Sequence, residues 1–231
     1  MKPHVITHMV ASIDGRILLS RWRPDGEIRK GLFERLHEEL DGDAWLVGRV
    51  TGQEYAKLEA YPDRSTPSFS REPWFPHRDA SAYGIVLDGH GKIAWGRDSI
   101  GDDPIVVVLT EKVSDAHLEG LRNDGVSYIF AGERELDLRL GLEVLNRELG
   151  LKRILLEGGG VTNGEFLRAG LIDEVSLAIF PAIDGARGAP SVFDSREILS
   201  NPSAPLRAMT LERSEVLDGG VVWLRYRLQN A

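Results

Sequence analysis

The sequence predicts an α/β fold: a three-layer α/β/α sandwich on a mixed, mostly parallel sheet, finished by a C-terminal antiparallel hairpin. Three observations lead there. Short, wholly apolar runs alternate with segments of helical period, as strands covered on both faces alternate with crossover helices. The chain has 231 residues, 42% of them hydrophobic and 28% charged, enough to bury a sizeable core. Its end changes character, with two alternating apolar and polar stretches flanking the turn signal "DGG" at 218–220.

Taken in order, "HVITHMVAS" (4–12) is rich in β-branched residues and reads as a strand, and Leu32, Phe33, Leu36 and Leu40 then recur at helical spacing. "AWLVG" (44–48), "GIVLD" (84–88), "PIVVVLT" (104–110) and "VSYIFAG" (126–132) are further buried strands. Between the last two lies a helix with Ser114 as N-cap, Leu118 and Leu121 on one face, and Gly125 as the stop. Leu138, Leu142, Leu145 and Leu149 mark the next helix, and "RILLE" (153–157) returns as a strand. Residues 59–82 hold four prolines and no period, a loop long enough to suggest function. No repeat, low-complexity tract or long linker interrupts the chain, so one domain over 1–231 is expected.

Composition removes several classes of function. A formal charge of −8, with Lys and Arg interspersed among acids, disfavours nucleic-acid binding. No stretch approaches the roughly 20 apolar residues that span a bilayer. The start "MKPHVITHMVASIDG" lacks the apolar core and cleavage site of a signal peptide, so no membrane and a cytoplasmic location are expected. Zero cysteines exclude disulfides, thiolate zinc sites and a cysteine nucleophile. His4 and His8 share a strand face without a third ligand, so no metal is expected, and "HEELD" (37–41) lacks the second histidine of H-E-x-x-H and reads as an exposed helix face.

"LLEGGGVTNGEFL" (155–167) sets Glu157 and three glycines between a strand and a helix. Glycines let backbone N–H groups approach a ligand without Cβ interference. Thr162 and Glu165 fit a T-x-x-E capping box, which puts the N-cap at Thr162. Free N–H groups at such a helix start form an anion site suited to a pyrophosphate. A tight strand-to-helix connection satisfies the same pattern, which is neither G-x-G-x-x-G nor a Walker loop.

The wider stretch "ILLEGGGVTNGEFLRAGLIDEVSLAIFPAIDGARGAP" (154–190) resembles the reductase domain of the riboflavin-biosynthesis deaminase-reductase family, in the dihydrofolate-reductase-like superfamily. "ASIDGRI" (11–17), "DGDAWLVGRVT" (41–51), "GIVLDGHGKI" (84–93) and "VVLTEKVSDAHLEGLRNDGV" (107–126) follow in the family's order. The resemblance implies a dihydrofolate-reductase-like fold and NADPH-dependent reduction of the ribosyl group of 5-amino-6-(5-phosphoribosylamino)uracil. It also implies a free-standing reductase, since the cysteines and H-x-E signature of the zinc deaminase partner are missing. Where the biosynthetic enzymes carry G-x-G-T and then an acid-acid-proline stretch, this chain reads "GRVTGQEYAKLEA". The triplet Asp102, Asp103, Pro104 precedes a later strand and does not replace it. "GRVT" is instead similar to the dihydrofolate reductases, whose matching loop starts a helix under the cofactor phosphates. A pterin or other small substrate, and a non-catalytic nucleotide binder, are therefore the alternatives.

By this resemblance Gly158, Gly159, Gly160, Val161 and Thr162 line the cofactor phosphates, with Gly48, Arg49 and Thr51 on a second loop. Thr110, Lys112 and Ser114 are candidates for the adenosine 2′-phosphate, Lys112 as a point charge. Ala11, Ser12 and Asp14 follow the first strand, where the family's loop touches nicotinamide and substrate. Asp14 is the first candidate to bind a substrate N–H or protonate a ring-opened imine, although "DG" is also a turn dipeptide. Glu157 stands where burial raises a carboxyl towards general-acid use. Arg64, Arg71 and Arg78 are candidates to clamp a substrate phosphate, with Trp74 and Phe75 to stack on a heterocycle or to pack. The family commonly dimerises, and a homodimer is expected.

Overall fold

The structure, a computed structural model, describes residues 1–24, 31–62, 67–195 and 203–231. It forms a mixed α/β fold whose strands are mostly parallel, with antiparallel strands at the C-terminus. The chain divides into two compact units, residues 1–3 with 43–154, and residues 4–42 with 155–231.

In the first unit β2 (Ala44–Gly48), β3 (Tyr83–Leu87), β5 (Asp103–Leu109) and β6 (Ser127–Phe130) pair in parallel, in that order. The short β4 (Ser99–Ile100) runs antiparallel on β5. All residues of β2, β3 and β6 are buried, which is why these strands read as unbroken apolar runs. Helix α2 (Arg49–Gln53) packs on β2 and β3, while α3 (Asp115–Asn123) and α4 (Leu138–Leu149) pack on β6. The Ser114 hydroxyl accepts from the His117 N–H at 3.2 Å as the N-cap of α3, and Gly125 follows that helix at φ 76°.

In the second unit the strand order is β7 (Arg153–Gly158), β1 (His4–Ser12), β8 (Glu174–Phe180), β10 (Val221–Asn230) and β9 (Leu206–Leu217). β1 and β8 are parallel, whereas β8, β10 and β9 are antiparallel to their neighbours along that end of the sheet. The hairpin turns at Asp218–Gly220, where Gly219 and Gly220 hold φ of 78° and 76°. Helix α1 (Leu32–Leu40) lays Leu32, Leu36 and Leu40 inward and packs on β1.

The start of α5 (Gly160–Arg168) corrects the sequence expectation: its N-cap is Gly159, not Thr162. The Asn163 N–H bonds the Gly159 carbonyl at 3.1 Å, so Thr162 already lies inside the first turn and no capping box forms. Glycine lets the chain pass from β7 into α5 with one intervening residue, earlier than a side-chain cap would place the turn.

His4 and His8 differ in surroundings. His4 is exposed beside Asp173 and Glu174, whereas His8 is fully buried, with Nδ1 3.2 Å from Ser176 Oγ and its ring stacked on Phe33 at 4.5 Å. Trp223 Nε1 donates to the same Ser176 oxygen at 2.9 Å. Burial pulls the His8 pKa down to about 4, so the imidazole is a neutral part of the core. Among the described residues no group of His, Asp and Glu side chains is arranged to hold a metal ion.

Candidate functional site

The glycine bend has two faces with different tasks. One is packed by the segment 189–194: a Cβ on Gly160 would lie 2.0 Å from the Ser191 carbonyl oxygen, and one on Gly164 1.9 Å from that of Asp194. The Asp194 N–H bonds the Gly160 carbonyl at 2.8 Å, and the buried Asn163 amide donates to the Val192 carbonyl at 2.8 Å. Gly160 and Gly164 are therefore required by this strap of chain, a role the sequence pattern did not separate from ligand binding. The other face is the start of α5. Gly159 gives no side-chain cap, and among the described residues no hydrogen bond engages the N–H groups of Gly160, Val161 and Thr162. Three unengaged donors at the positive end of a nine-residue helix fit an anionic bridge such as a diphosphate.

The strap also reaches the turn after β1. Ile17 N–H bonds the Pro190 carbonyl at 3.1 Å, Val192 N–H that of Gly15 at 3.2 Å, and Arg16 Nη1 donates to the Ala189 carbonyl at 2.6 Å. Within this turn Ala11 is buried against Met9 and Val192, and Ser12 is 1% exposed. Asp14 receives the Ser12 hydroxyl at 2.6 Å, the Gly185 N–H at 2.8 Å and the Asp184 N–H at 3.1 Å. Those bonds, led by the one from Ser12, hold its pKa down at about 2. Its carboxylate fastens the 12–16 turn to the loop at 184–185, a structural task beside the proton donation expected from the sequence. Ser12 likewise spends its hydroxyl on Asp14 and accepts the Arg16 N–H at 3.0 Å.

Glu157 closes β7 beside the bend, with a side chain only 10% exposed. It is not an isolated buried acid, as the sequence led one to expect: His37 Nδ1, from the last turn of α1, stands 2.7 Å from its Oε1. "HEELD" is thus not uniformly a solvated face. Its histidine is committed to a residue 120 positions away, which no local pattern reveals.

In the first unit, Gly48 ends β2 and caps α2 in extended geometry, with Arg49 exposed and Thr51 half-buried on that helix. Asp88, at the carboxyl end of β3, is 1% exposed and accepts the Lys92 and Ile93 N–H groups at 2.7 and 2.8 Å. Burial pushes its carboxyl up, against the opposing pull of these bonds and of Arg49. Sequence reasoning passed over this residue as the end of an apolar run. Thr110 is fully buried and spends its hydroxyl on the Gly89 carbonyl at 2.6 Å, which removes it as a direct phosphate ligand. Lys112 and Ser114 are exposed, and Ser114 lines a cleft of about 490 Å³ together with Tyr61, Lys92 and His117.

The long loop is held by its own side chains. Arg71 donates from Nη1 to Asp115 Oδ1 at 2.6 Å and to the Phe69 carbonyl at 2.8 Å. It also donates from Nη2 to the Val113 carbonyl at 2.9 Å and from Nε to the Glu111 carbonyl at 3.0 Å. Its guanidinium is consumed in tying the loop to the start of α3, so the expectation of a substrate clamp is corrected. Arg78 lies over the Phe75 ring at 4.6 Å and donates to the Glu148 carbonyl at 3.2 Å. Trp74 stacks on Tyr128 and exchanges backbone hydrogen bonds with it at 3.0 and 2.9 Å, which makes it a packing anchor. Arg64 lies outside the described residues.

Comparison with known proteins finds similar sequences and similar folds. A protein from Methanothermobacter thermautotrophicus, named 2,5-diamino-6-ribosylamino-4(3H)-pyrimidinone 5′-phosphate reductase, is 30% identical over 229 residues, 96% of this chain and 97% of the relative. A protein of the same name from Aquifex aeolicus is 32% identical over 192 residues, 83% of this chain and 82% of the relative. Among solved structures, a pyrimidine reductase-like protein from Corynebacterium diphtheriae superposes with a TM-score of 0.70 at 20% identity, over 99% of this chain and 93% of that one. The riboflavin biosynthesis reductase of Saccharomyces cerevisiae superposes with a TM-score of 0.61 at 16% identity, over 99% and 90%. The family model described as the RibD C-terminal domain matches residues 3–223, and so the chain belongs to the RibD C-terminal domain family.

Proposed function

We propose that this chain is a riboflavin-pathway reductase that uses NADPH to reduce the ribosyl group of a phosphoribosylamino-pyrimidine. The observation that carries the reading is the match, over 96% and 83% of this chain, to proteins named 2,5-diamino-6-ribosylamino-4(3H)-pyrimidinone 5′-phosphate reductase. Their named substrate keeps an amino group at position 2 of the ring, where the uracil compound has an oxygen. Both compounds therefore belong in the assay.

When bound, the dinucleotide supplies a hydride, and the protein supplies orientation and electrostatics. The unengaged N–H groups of Gly160, Val161 and Thr162 take the diphosphate, and Gly158 and Gly159, which add no side chain of their own, lead into that helix start. In the first unit Gly48, Arg49 and Thr51 at one strand end, and Lys112 and Ser114 at another, serve the remaining cofactor phosphates. Glu157 is the candidate to hold or pass a proton near the bend. Asp14 and Ser12 keep the loop after β1 in shape. Among the described arginines of the long loop, Arg78 is kept as a candidate for a substrate phosphate. Residues 1–231 act together as one reductase domain, consistent with a family match that runs through both units.

A cytoplasmic location accords with this activity, and among the described residues no helix is long and apolar enough to cross a membrane. A homodimer is proposed through β9, the last strand of its sheet, where Met209, Leu211 and Val216 are 50%, 49% and 76% exposed.

The test mixes protein, NADPH and each pyrimidine in turn and follows loss of reduced-nicotinamide absorbance. Turnover with either compound is the expected result. Tight NADPH binding without oxidation across a pyrimidine and pterin panel overturns the reading in favour of a nucleotide binder.

A further inference from the structure

The His37–Glu157 pair joins two segments that nothing in the local sequence connects, at the strand end that leads into the glycine bend. We propose that His37 is a positioning residue: through its Nδ1 it fixes the Glu157 carboxylate in the orientation the hydride-transfer step requires. The inference rests on the reductase reading above and adds to it a residue on α1.

The geometry favours a directed pair over a chance surface contact. The separation of 2.7 Å is that of a charge-assisted hydrogen bond. The side chains are 29% and 10% exposed, so the pair is shielded from water more than an ordinary surface ion pair. His37 lies in the last turn of α1, where the helix dipole favours a cation. α1 itself is fixed, because Leu36 and Leu40, flanking His37, are 1% and 3% exposed. A neighbour one turn earlier completes the support: Phe33 stacks on the buried His8 ring, and His37 contributes to lowering that ring's pKa, which places the two imidazoles within electrostatic reach.

The alternative destination for His37 would be another acid of its own helix. Glu39 is engaged instead with Arg213 on β9, and Glu34 and Glu38 are exposed. The imidazole reaches past them to the carboxylate at the β7 end of the bend. A carboxylate free to rotate about its side-chain torsions samples several positions, whereas one pinned by an imidazole from a packed helix keeps one. Displacement of a reacting group by about 1 Å costs on the order of 100-fold in rate.

Four proteins decide it: wild type, His37→Leu, His37→Gln and Glu157→Gln, each assayed with NADPH and the pyrimidine that the wild type turns over. The expected result is a kcat lowered about 10- to 100-fold in His37→Leu with KM for NADPH within about twofold of wild type. His37→Gln keeps an N–H donor and should recover most of the lost rate. The double variant His37→Leu/Glu157→Gln should be no slower than Glu157→Gln alone, because the two groups act as a unit. Thermal unfolding of each variant identifies any that has lost its fold. If His37→Leu has, His37→Gln decides, and a rate there as low as that of Glu157→Gln overturns the inference. An active wild type with an unimpaired His37→Leu variant, or additive losses in the double variant, overturns the inference alone. A wild type that binds NADPH but turns over neither pyrimidine overturns the reductase reading and this inference with it.

Discussion

At Asp14 three donors converge on one carboxylate and hold its pKa down at about 2, which favours the ionised form. The pH–rate profile should therefore have the same shape in wild type and Asp14→Asn between about pH 5 and 9. An acid limb present in wild type and absent in the variant would return Asp14 to the role of proton donor. The linkage runs one way for this residue: its folded pKa lies below the unfolded one, so its contribution is present above about pH 4 and is lost as pH falls through about 2. "DG" in the sequence announced the turn, but the partners at 184 and 185 are some 170 positions away and could not be read from it.

At the scale of elements, β7 and α5 show what a glycine run can conceal. Gly160 sits against the Ser191 carbonyl, so Gly160→Ala should cost about 1–3 kcal/mol in urea unfolding as the strap is forced aside. Gly159→Val should weaken NADPH binding in titration calorimetry. Gly159 holds φ 19° and ψ 150°, a conformation a β-branched residue resists, so urea unfolding of the variant must accompany the titration to separate lost stability from lost binding. Equal affinity for wild type and Gly159→Val would discredit the diphosphate role of the bend. Most strands were legible because full burial turns them into unbroken β-branched runs; β2, for example, is buried at every position. β8 was harder to see, because Glu174 and Ser176 interrupt its apolar run, and both are buried through partners on β10: Arg225 pairs with Glu174 and Trp223 Nε1 donates to Ser176. The same blindness applies to the candidate site. Residue types marked the bend and the loops, while the commitments of Arg71, Thr110 and Glu157 depend on contacts made across long separations.

For the molecule as a whole, two buried histidines contribute to the loss of stability on acidification. His8 and His117 both have pKa values lowered to about 4 by burial. Unfolding frees them to titrate near 6.5, so stability is full above that pH and falls as pH drops from 6.5 to about 4, below which both states are protonated. Each carries up to about 3 kcal/mol, at roughly 1.4 kcal/mol per pH unit over that window. Chemical denaturation at about pH 7.5 and about pH 4.5 should show the loss, and a His8→Gln variant that keeps the Ser176 bond should lessen it. Light scattering after size exclusion should give the mass of a pair at micromolar concentration, and a single 25.6 kDa species there would reject the proposed dimer.

The strap over α5 means that glycines in this run answer to two different neighbours, the chain itself and the open helix start. A substitution at 160 or 164 is answered first by a carbonyl of the chain itself, and any loss of affinity it brings arrives second-hand, through a moved helix end. A variant series across this corner should therefore be sorted by which neighbour each new methyl would strike before any of it is scored as ligand recognition.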